Sequence, residues 1–334
     1  MKKLLTIGVC FGILFLFSSV GSAQRVAAKS EIVPQKGYKA VVVHESPELG
    51  AILDSSIKAM LAKFPSVVYK PGELSATLLD VRDPMNIRGA QYNGELKLYP
   101  ASVVKMYYLA ALERQLEDGK VIMSPELARG VKDMIVDSSN EATQYILDVL
   151  TGTSSGSELP SKEFAAWQYK RNRVNRYFSS MGYTDINVNQ KTFCEDAYGI
   201  EQQSRKYKGE NRNMLTTNAT ARLMAEIVLG RIAGPSGTAK MMELMKRDPF
   251  AATSDDGDQA HGFTGKMIID RKMMDTMLWS KAGWTSKSRH DAAYIETVDG
   301  QKFVLVIFTE NHANEKGPIP AIASGVIDGL RKGK

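Results

Sequence analysis

Three short strings in this chain carry side chains suited to nucleophilic catalysis. Ser102-Val103-Val104-Lys105 sets a hydroxyl and an amine three residues apart. On a helix such a pair shares one face, so the amine can reach the hydroxyl. A serine hydroxyl is a poor nucleophile until a neighbouring base or cation assists its ionisation. The chain holds a second copy of this spacing, Ser55-Ser56-Ile57-Lys58, and context separates the two. Lys105 is the only charge between Ser102 and Leu112, among Met106, Tyr107, Tyr108 and Leu109. An amine desolvated on such a helix loses basicity and becomes usable as a base. Ser55 and Lys58 are expected on the surface of an earlier helix. The second string, Ser138-Ser139-Asn140, lies at a break between two helical patterns, where Ser138 and Glu141 read as a capping box. The third, Lys281-Ala282-Gly283, ends a strand-like run and is followed by Trp284-Thr285-Ser286.

Those strings need elements to hold them. Residues 24–47 show no clear period and read as a lead-in arm. Helical spacing follows over 49–64, then a strand over 73–81 with a hairpin partner in 88–98. From Pro100 to about Asp248 the pattern is helical. Ser124-Pro125 looks like an N-cap with Pro at the first helical position, and Thr216-Thr217 opens another helix. Strands return at 276–283, 291–298 and 302–309, with an Asp299-Gly300 hairpin turn between the last two. A closing helix is expected over 320–330. Strands at both ends with helices between them predict an α+β fold: one antiparallel sheet completed by both termini, flanking helices, and an inserted all-α region. The expected division is 24–99 with 262–334 as an α/β part and 100–261 as a mainly helical part.

The remaining arithmetic excludes several classes. The chain has 334 residues, with 43 basic against 37 acidic side chains. That small excess on a mixed surface, without basic runs interleaved with aromatics, argues against nucleic acid as a partner. Four His and two Cys are too few for a dedicated metal centre, so no metal or other cofactor is expected. Lys2 and Lys3, an apolar run from Leu4 to about Phe17, and Gly21-Ser22-Ala23 form a secretory signal pattern over 1–23. The run is shorter than the roughly 20 apolar residues of a membrane span. The expectation is an exported, periplasmic or extracellular protein without a membrane span after signal cleavage. Cys10 would leave with the signal, and Cys194 alone would remain, so no intramolecular disulfide can form.

Taken in order, the three strings resemble those of the penicillin-recognising serine hydrolases, and of the class A β-lactamases in particular. Tyr99-Pro100-Ala101-Ser102-Val103-Val104-Lys105 is similar to the nucleophile segment. Asp137-Ser138-Ser139-Asn140-Glu141 is similar to the S-D-N loop, and Leu278-Trp279-Ser280-Lys281-Ala282-Gly283 to the strand beside the active site. The resemblance implies a β-lactamase/transpeptidase-like fold, with Ser102 attacking an amide carbonyl and becoming acylated. Lys105 would accept its proton or stabilise its alkoxide. Ser138 would relay a proton to the departing nitrogen, and Asn140 would hold substrate and Lys105 in register. Lys281 would place positive charge near the substrate carboxylate and Ser138. Backbone N–H groups of Ser102 and Trp284 would form the oxyanion hole beside Gly283. Arg289, or a residue next to it, would bind the substrate carboxylate.

The strings also depart from that pattern. Ser139 stands where the family has Asp, and Ala282 replaces a Thr whose hydroxyl Thr285 or Ser286 would have to supply. The E-x-x-L-N string that gives class A enzymes their deacylating Glu is missing. Glu195, Glu201 and Glu210 are the carboxylates of that region, and Glu201, after Tyr198-Gly199, is the candidate base. The implied partner is a small β-lactam or a cell-wall peptide amide. Three functions follow from the resemblance: a β-lactamase-like hydrolase, a D-alanyl-D-alanine peptidase or slow covalent penicillin binder, and a non-catalytic envelope binding protein.

Overall fold

Strand β7 (Lys302–Thr309) shows how the sheet builds two cores. Its residues alternate between faces, as every strand requires. Val304, Val306 and Phe308 join one buried cluster, and Phe303, Leu305 and Ile307 the other. A sheet apolar on both faces must be covered on both, and helices do so here. The computed structural model describes residues 31–255 and 257–332; the expected signal segment, 1–23, lies outside them.

The chain enters the sheet at β1 (Val43–Glu45), and α1 (Pro47–Lys63) follows, capped by the Ser46 hydroxyl, which accepts from Leu49 N–H. Strands β2 (Leu74–Asp80) and β3 (Ile87–Tyr92) form the expected hairpin. A 3-10 turn, Ala101–Val104, leads into α2 (Lys105–Glu117). The helical region continues through α3 (Pro125–Ile135), α4 (Asn140–Thr151), α5 (Ser161–Arg171), α6 (Arg173–Ser180), α7 (Gly199–Arg205), α8 (Thr217–Val228) and α9 (Pro235–Met245). The Ser124 and Thr216 caps form as predicted, each accepting a backbone N–H three residues on.

The chain then returns to the sheet through β4 (Lys246–Arg247), α10 (Thr264–Asp270), β5 (Met277–Trp284), β6 (Arg289–Glu296) and β7, and α11 (Pro318–Lys332) closes it. The order across the seven strands is β1-β3-β2-β7-β6-β5-β4. Strand β2, from the start of the chain, pairs antiparallel with β7 from its end, over Leu74↔Thr309 to Asp80↔Phe303. The sheet is therefore completed by both ends of the chain, as expected. One edge differs: β1, inside the supposed lead-in arm, pairs parallel with β3. Its three residues are all exposed, so no alternation marked it as a strand. Helices α1 and α11 cover one face with α10, and the long insertion covers the other.

Candidate active site

The Ser102–Lys105 segment sits where the 3-10 turn becomes α2. In a 3-10 turn residues three apart eclipse one another, so Ser102 and Lys105 share a face more closely than on an α-helix. Ala101, just before Ser102, takes φ of 46°, a left-handed conformation that alanine rarely adopts. Ser138 does the same at 58°. Strained residues of this kind cluster at functional sites. Here Ala101 directly precedes Ser102, and Ser138 accepts from Lys105.

Lys105 is fully buried, and its amine donates to Ser138 O at 2.5 Å, Asn140 Oδ1 at 2.9 Å and Ser138 Oγ at 3.3 Å. Burial lowers its pKa to about 7, outweighing the opposing pull of Glu141 and Cys194. The Lys281 amine reaches the same hydroxyl from β5, at 2.9 Å from Ser138 Oγ. Lys281 is fully buried as well, and its pKa is well below the ordinary lysine value, through burial first and then through Lys105 and Arg247. One hydroxyl thus stands between two weakly basic amines.

Ser138 is free for this because it does not cap α4. Ser139 does: its Oγ accepts from Ala142 N–H at 3.1 Å. The expected box between Ser138 and Glu141 does not form, because the N-cap is one residue later, and the Ser138 hydroxyl is left to the two lysines. Asn140 opens α4 and faces both ways, accepting from Lys105 through Oδ1 and donating through Nδ2 to Cys194 Sγ at 3.4 Å.

Gly283 brings β5 onto the Ser102 segment. A Cβ built there would lie 2.8 Å from Pro100 O, 2.8 Å from Ser102 N and 3.0 Å from Val103 N. These are backbone atoms and cannot swing away, so only glycine allows this approach. The end of β5, Gly283-Trp284, therefore lies against the Ser102 N–H. Trp284 is half-exposed and packs on Phe263, ring centroids 5.7 Å apart. Thr285 closes the β5–β6 turn: its hydroxyl accepts from Lys287 and Ser288 N–H.

Two predicted residues are not part of this set. Arg289 is 5% exposed, donates to Gly262 O at 2.6 Å, and has its guanidinium 4.0 Å over the Phe263 ring. The residue paired with Gly283 is its neighbour His290. His290 Nε2 bonds Tyr99 O at 2.9 Å, and Nδ1 accepts from Thr309 N–H at 3.0 Å, which fixes the tautomer. Glu201, in the first turn of α7, is buried in a two-point ion pair with Arg171, at 2.6 and 2.8 Å. It also takes Ser155 Oγ at 2.8 Å and lies 3.4 Å from Lys191 Nζ. Burial alone would raise its pKa, but Arg171 and Lys191 outweigh that and hold it below the usual value. Glu195 and Glu210 are exposed on the surface.

Two residues that spacing did not mark do join the set. Cys194 meets Asn140, and Gln259 accepts from Lys281 Nζ at 2.5 Å. Neither sits in a periodic segment, so nothing in the pattern distinguished them from other loop residues. Among the described residues no group of three or more His, Cys, Asp or Glu is placed to hold a metal ion. No described helix is long and apolar enough to cross a membrane.

The family model described as "Beta-lactamase enzyme family" matches residues 53–326, which span every residue of this site. The chain belongs to that family. The fold agrees: a β-lactamase from Sphaerobacter thermophilus superposes with a TM-score of 0.59 at 17% identity, covering 84% of this chain and 98% of the other. A protein named PBP-A superposes at 0.58 with 16% identity, covering 88% of this chain and 100% of its own. A variant of PBP-A, captured as an acyl-enzyme complex with penicillin G, superposes at 0.56 with 17% identity over 84% and 97% of the two chains. No curated protein sequence matches the chain.

Proposed function

We propose that this member of the β-lactamase family is an exported serine hydrolase acylated on Ser102 by a β-lactam or a related amide. The observation that carries the reading is the Ser138 hydroxyl held between Lys105 and Lys281 at 3.3 and 2.9 Å. Ser102 Oγ attacks the carbonyl carbon while its proton passes to the Lys105 amine. The Ser102 N–H, with that of Trp284, faces the oxygen as negative charge develops on it. The C–N bond then breaks, and the leaving nitrogen takes a proton through Ser138. An ester on Ser102 remains, and water hydrolyses it to a carboxylic acid and free serine. Lys281 supplies positive charge toward the substrate carboxylate, and Asn140 keeps Lys105 in place. The signal pattern over 1–23 directs the chain out of the cytoplasm.

A second reading, slow covalent penicillin binding, has its own support. Among the described residues no carboxylate hydrogen-bonds Lys105, Ser138 or Asn140; the residue that meets Asn140 from the 190s loop is Cys194. Ester hydrolysis needs a base near the attacking water, so acylation is better provided for here than its reversal. The test is to mix purified protein with a fluorescent penicillin and a chromogenic cephalosporin, then map the adduct by mass spectrometry. Label between Pro100 and Arg114, lost in Ser102→Ala, supports acylation. Turnover of the cephalosporin selects the hydrolase, and stable label without turnover selects the slow binder. Neither label nor turnover overturns both and leaves a binding protein on this fold.

A further inference from the structure

The Ser138 loop and β5 are joined by a side chain that the acylation chemistry does not use. Gln259 lies between β4 and α10 and is 6% exposed. Its Oε1 accepts from Lys281 Nζ at 2.5 Å and from Ala282 N–H at 3.2 Å. Its Nε2 donates to Val136 O at 2.8 Å and Ile135 O at 3.2 Å. Ile135 ends α3, and Val136 precedes Ser138 by two residues. Donors surround one end of the amide and carbonyls the other, so its orientation is fixed. A carboxylate would set an oxygen against two carbonyls, and an apolar side chain would leave buried donors and acceptors unpaired.

The charges around Lys281 explain why a neutral acceptor matters. The amine faces Lys105 from α2, Arg247 from β4 and Asp291 from β6, besides Ser138. Asp291 is buried and takes Thr264 N–H through Oδ2 at 3.1 Å. Arg247 is tied to the same frame, donating through Nη2 to Ile135 O and Ser280 O, each at 3.0 Å. With an amide rather than a carboxylate as its nearest acceptor, Lys281 can give or take a proton instead of being held as an ammonium.

We propose that Gln259 is a positioning residue: one neutral carboxamide fixes Lys281 Nζ against Ser138 Oγ and locks the Ser138 loop to β5. The inference rests on the reading that Ser138 and Lys281 move protons during acylation of Ser102. It is tested with the full protein carrying lysines labelled with carbon-13 at Cε, the Lys281 signal being assigned by its loss in Lys281→Arg. The signal is titrated in wild type, Gln259→Glu and Gln259→Met. Gln259→Glu should move the Lys281 midpoint upward by about one pH unit or more, as a new adjacent anion does. Gln259→Met, which removes an acceptor from the ammonium, should move it downward. Opposite shifts are the signature of an electrostatic role, since loss of packing alone would not reverse sign between the variants. Both variants should also take up fluorescent penicillin at least about tenfold more slowly, the scale of a displaced catalytic group. An unchanged midpoint in both variants, or wild-type labelling rates in both, overturns the proposal. If Gln259→Glu does not fold, Gln259→Met alone decides by the downward shift. If wild type takes no label, the acylation reading fails, and the Lys281 titration still decides whether Gln259 sets that amine.

Discussion

Arg171 and Glu201 form a buried two-point ion pair, Nη1 and Nη2 of one on the two carboxylate oxygens of the other at 2.6 and 2.8 Å. Arg171 Nε also donates to Thr153 Oγ1 at 2.9 Å, so the guanidinium joins α5, the 151–155 segment and α7. This geometry ties down the long loop before α8 and engages both oxygens of the buried Glu201 carboxylate. Glu201→Gln should therefore act on stability, with a loss of about 3–5 kcal/mol as expected when one partner of a buried pair is removed. Because the folded pKa is depressed, the pair's contribution is present above the ordinary value of 4.5 and is lost as pH falls below it. Urea unfolding at pH 7 and pH 4 measures both effects. Accumulation of acyl-protein in Glu201→Gln without loss of stability would instead make it the deacylating base.

On the proposed reading, Lys105 sets the pH dependence of acylation. Its amine is the active form, and burial brings its pKa down to about 7. The labelling rate at Ser102 should climb about tenfold per pH unit below that midpoint and level off above it. Stopped-flow labelling with a fluorescent penicillin from pH 5 to 9 checks this. A flat profile across that range would remove Lys105 as the base.

Much of this was legible because helices and strands announce themselves through period, and three polar strings interrupt those periods. What stayed hidden depends on a one-residue register. Ser138 and Ser139 are the same residue type, and only the structure shows that Ser139 caps α4 and so releases Ser138. Arg289 and His290 differ by one place on β6, and on a strand one place changes the face. His290, opposite Gly283, touches the backbone of the nucleophile segment, whereas Arg289 is held by Gly262 and Phe263. Gln259 acts through both ends of an amide from an aperiodic loop. Such a role comes from tertiary contacts and leaves no local pattern.

His290 makes a separate prediction about acid. Burial lowers its pKa from 6.5 to about 4, so the folded protein holds a neutral ring while the unfolded chain protonates. Its contribution to stability should be constant above pH 6.5 and decline as pH falls toward 4, by roughly 3 kcal/mol over the whole window. Protonation at Nδ1 would also break the bond from Thr309 N–H. Unfolding free energies measured between pH 4.5 and 7.5 should show this slope in wild type and a flatter one in His290→Gln. Equal slopes would assign the acid sensitivity to other groups.

Cys194 gives the sharpest test of the proposal that acylation is better provided for than hydrolysis. Its sulfur lies 3.4 Å from Asn140 Nδ2, and Asn140 Oδ1 holds the Lys105 amine at 2.9 Å. A carboxylate introduced at this place would enter the hydrogen-bonded set of Asn140, Lys105 and Ser138, and it could draw a proton from a water there. The position is exposed, so the larger side chain has room. Cys194→Glu should leave Ser102 able to take full label above its acylation midpoint while shortening the life of the acyl-protein by about tenfold or more, within the range of one general base. The nearby anion should also raise the Lys105 pKa, moving the acylation midpoint above 7. Cys194→Ser, which adds no charge, should do neither. Pulse labelling followed by a chase with unlabelled penicillin reads the lifetime directly. An unchanged lifetime in Cys194→Glu, with the midpoint still shifted, would show that a carboxylate beside Lys105 cannot by itself supply the missing step.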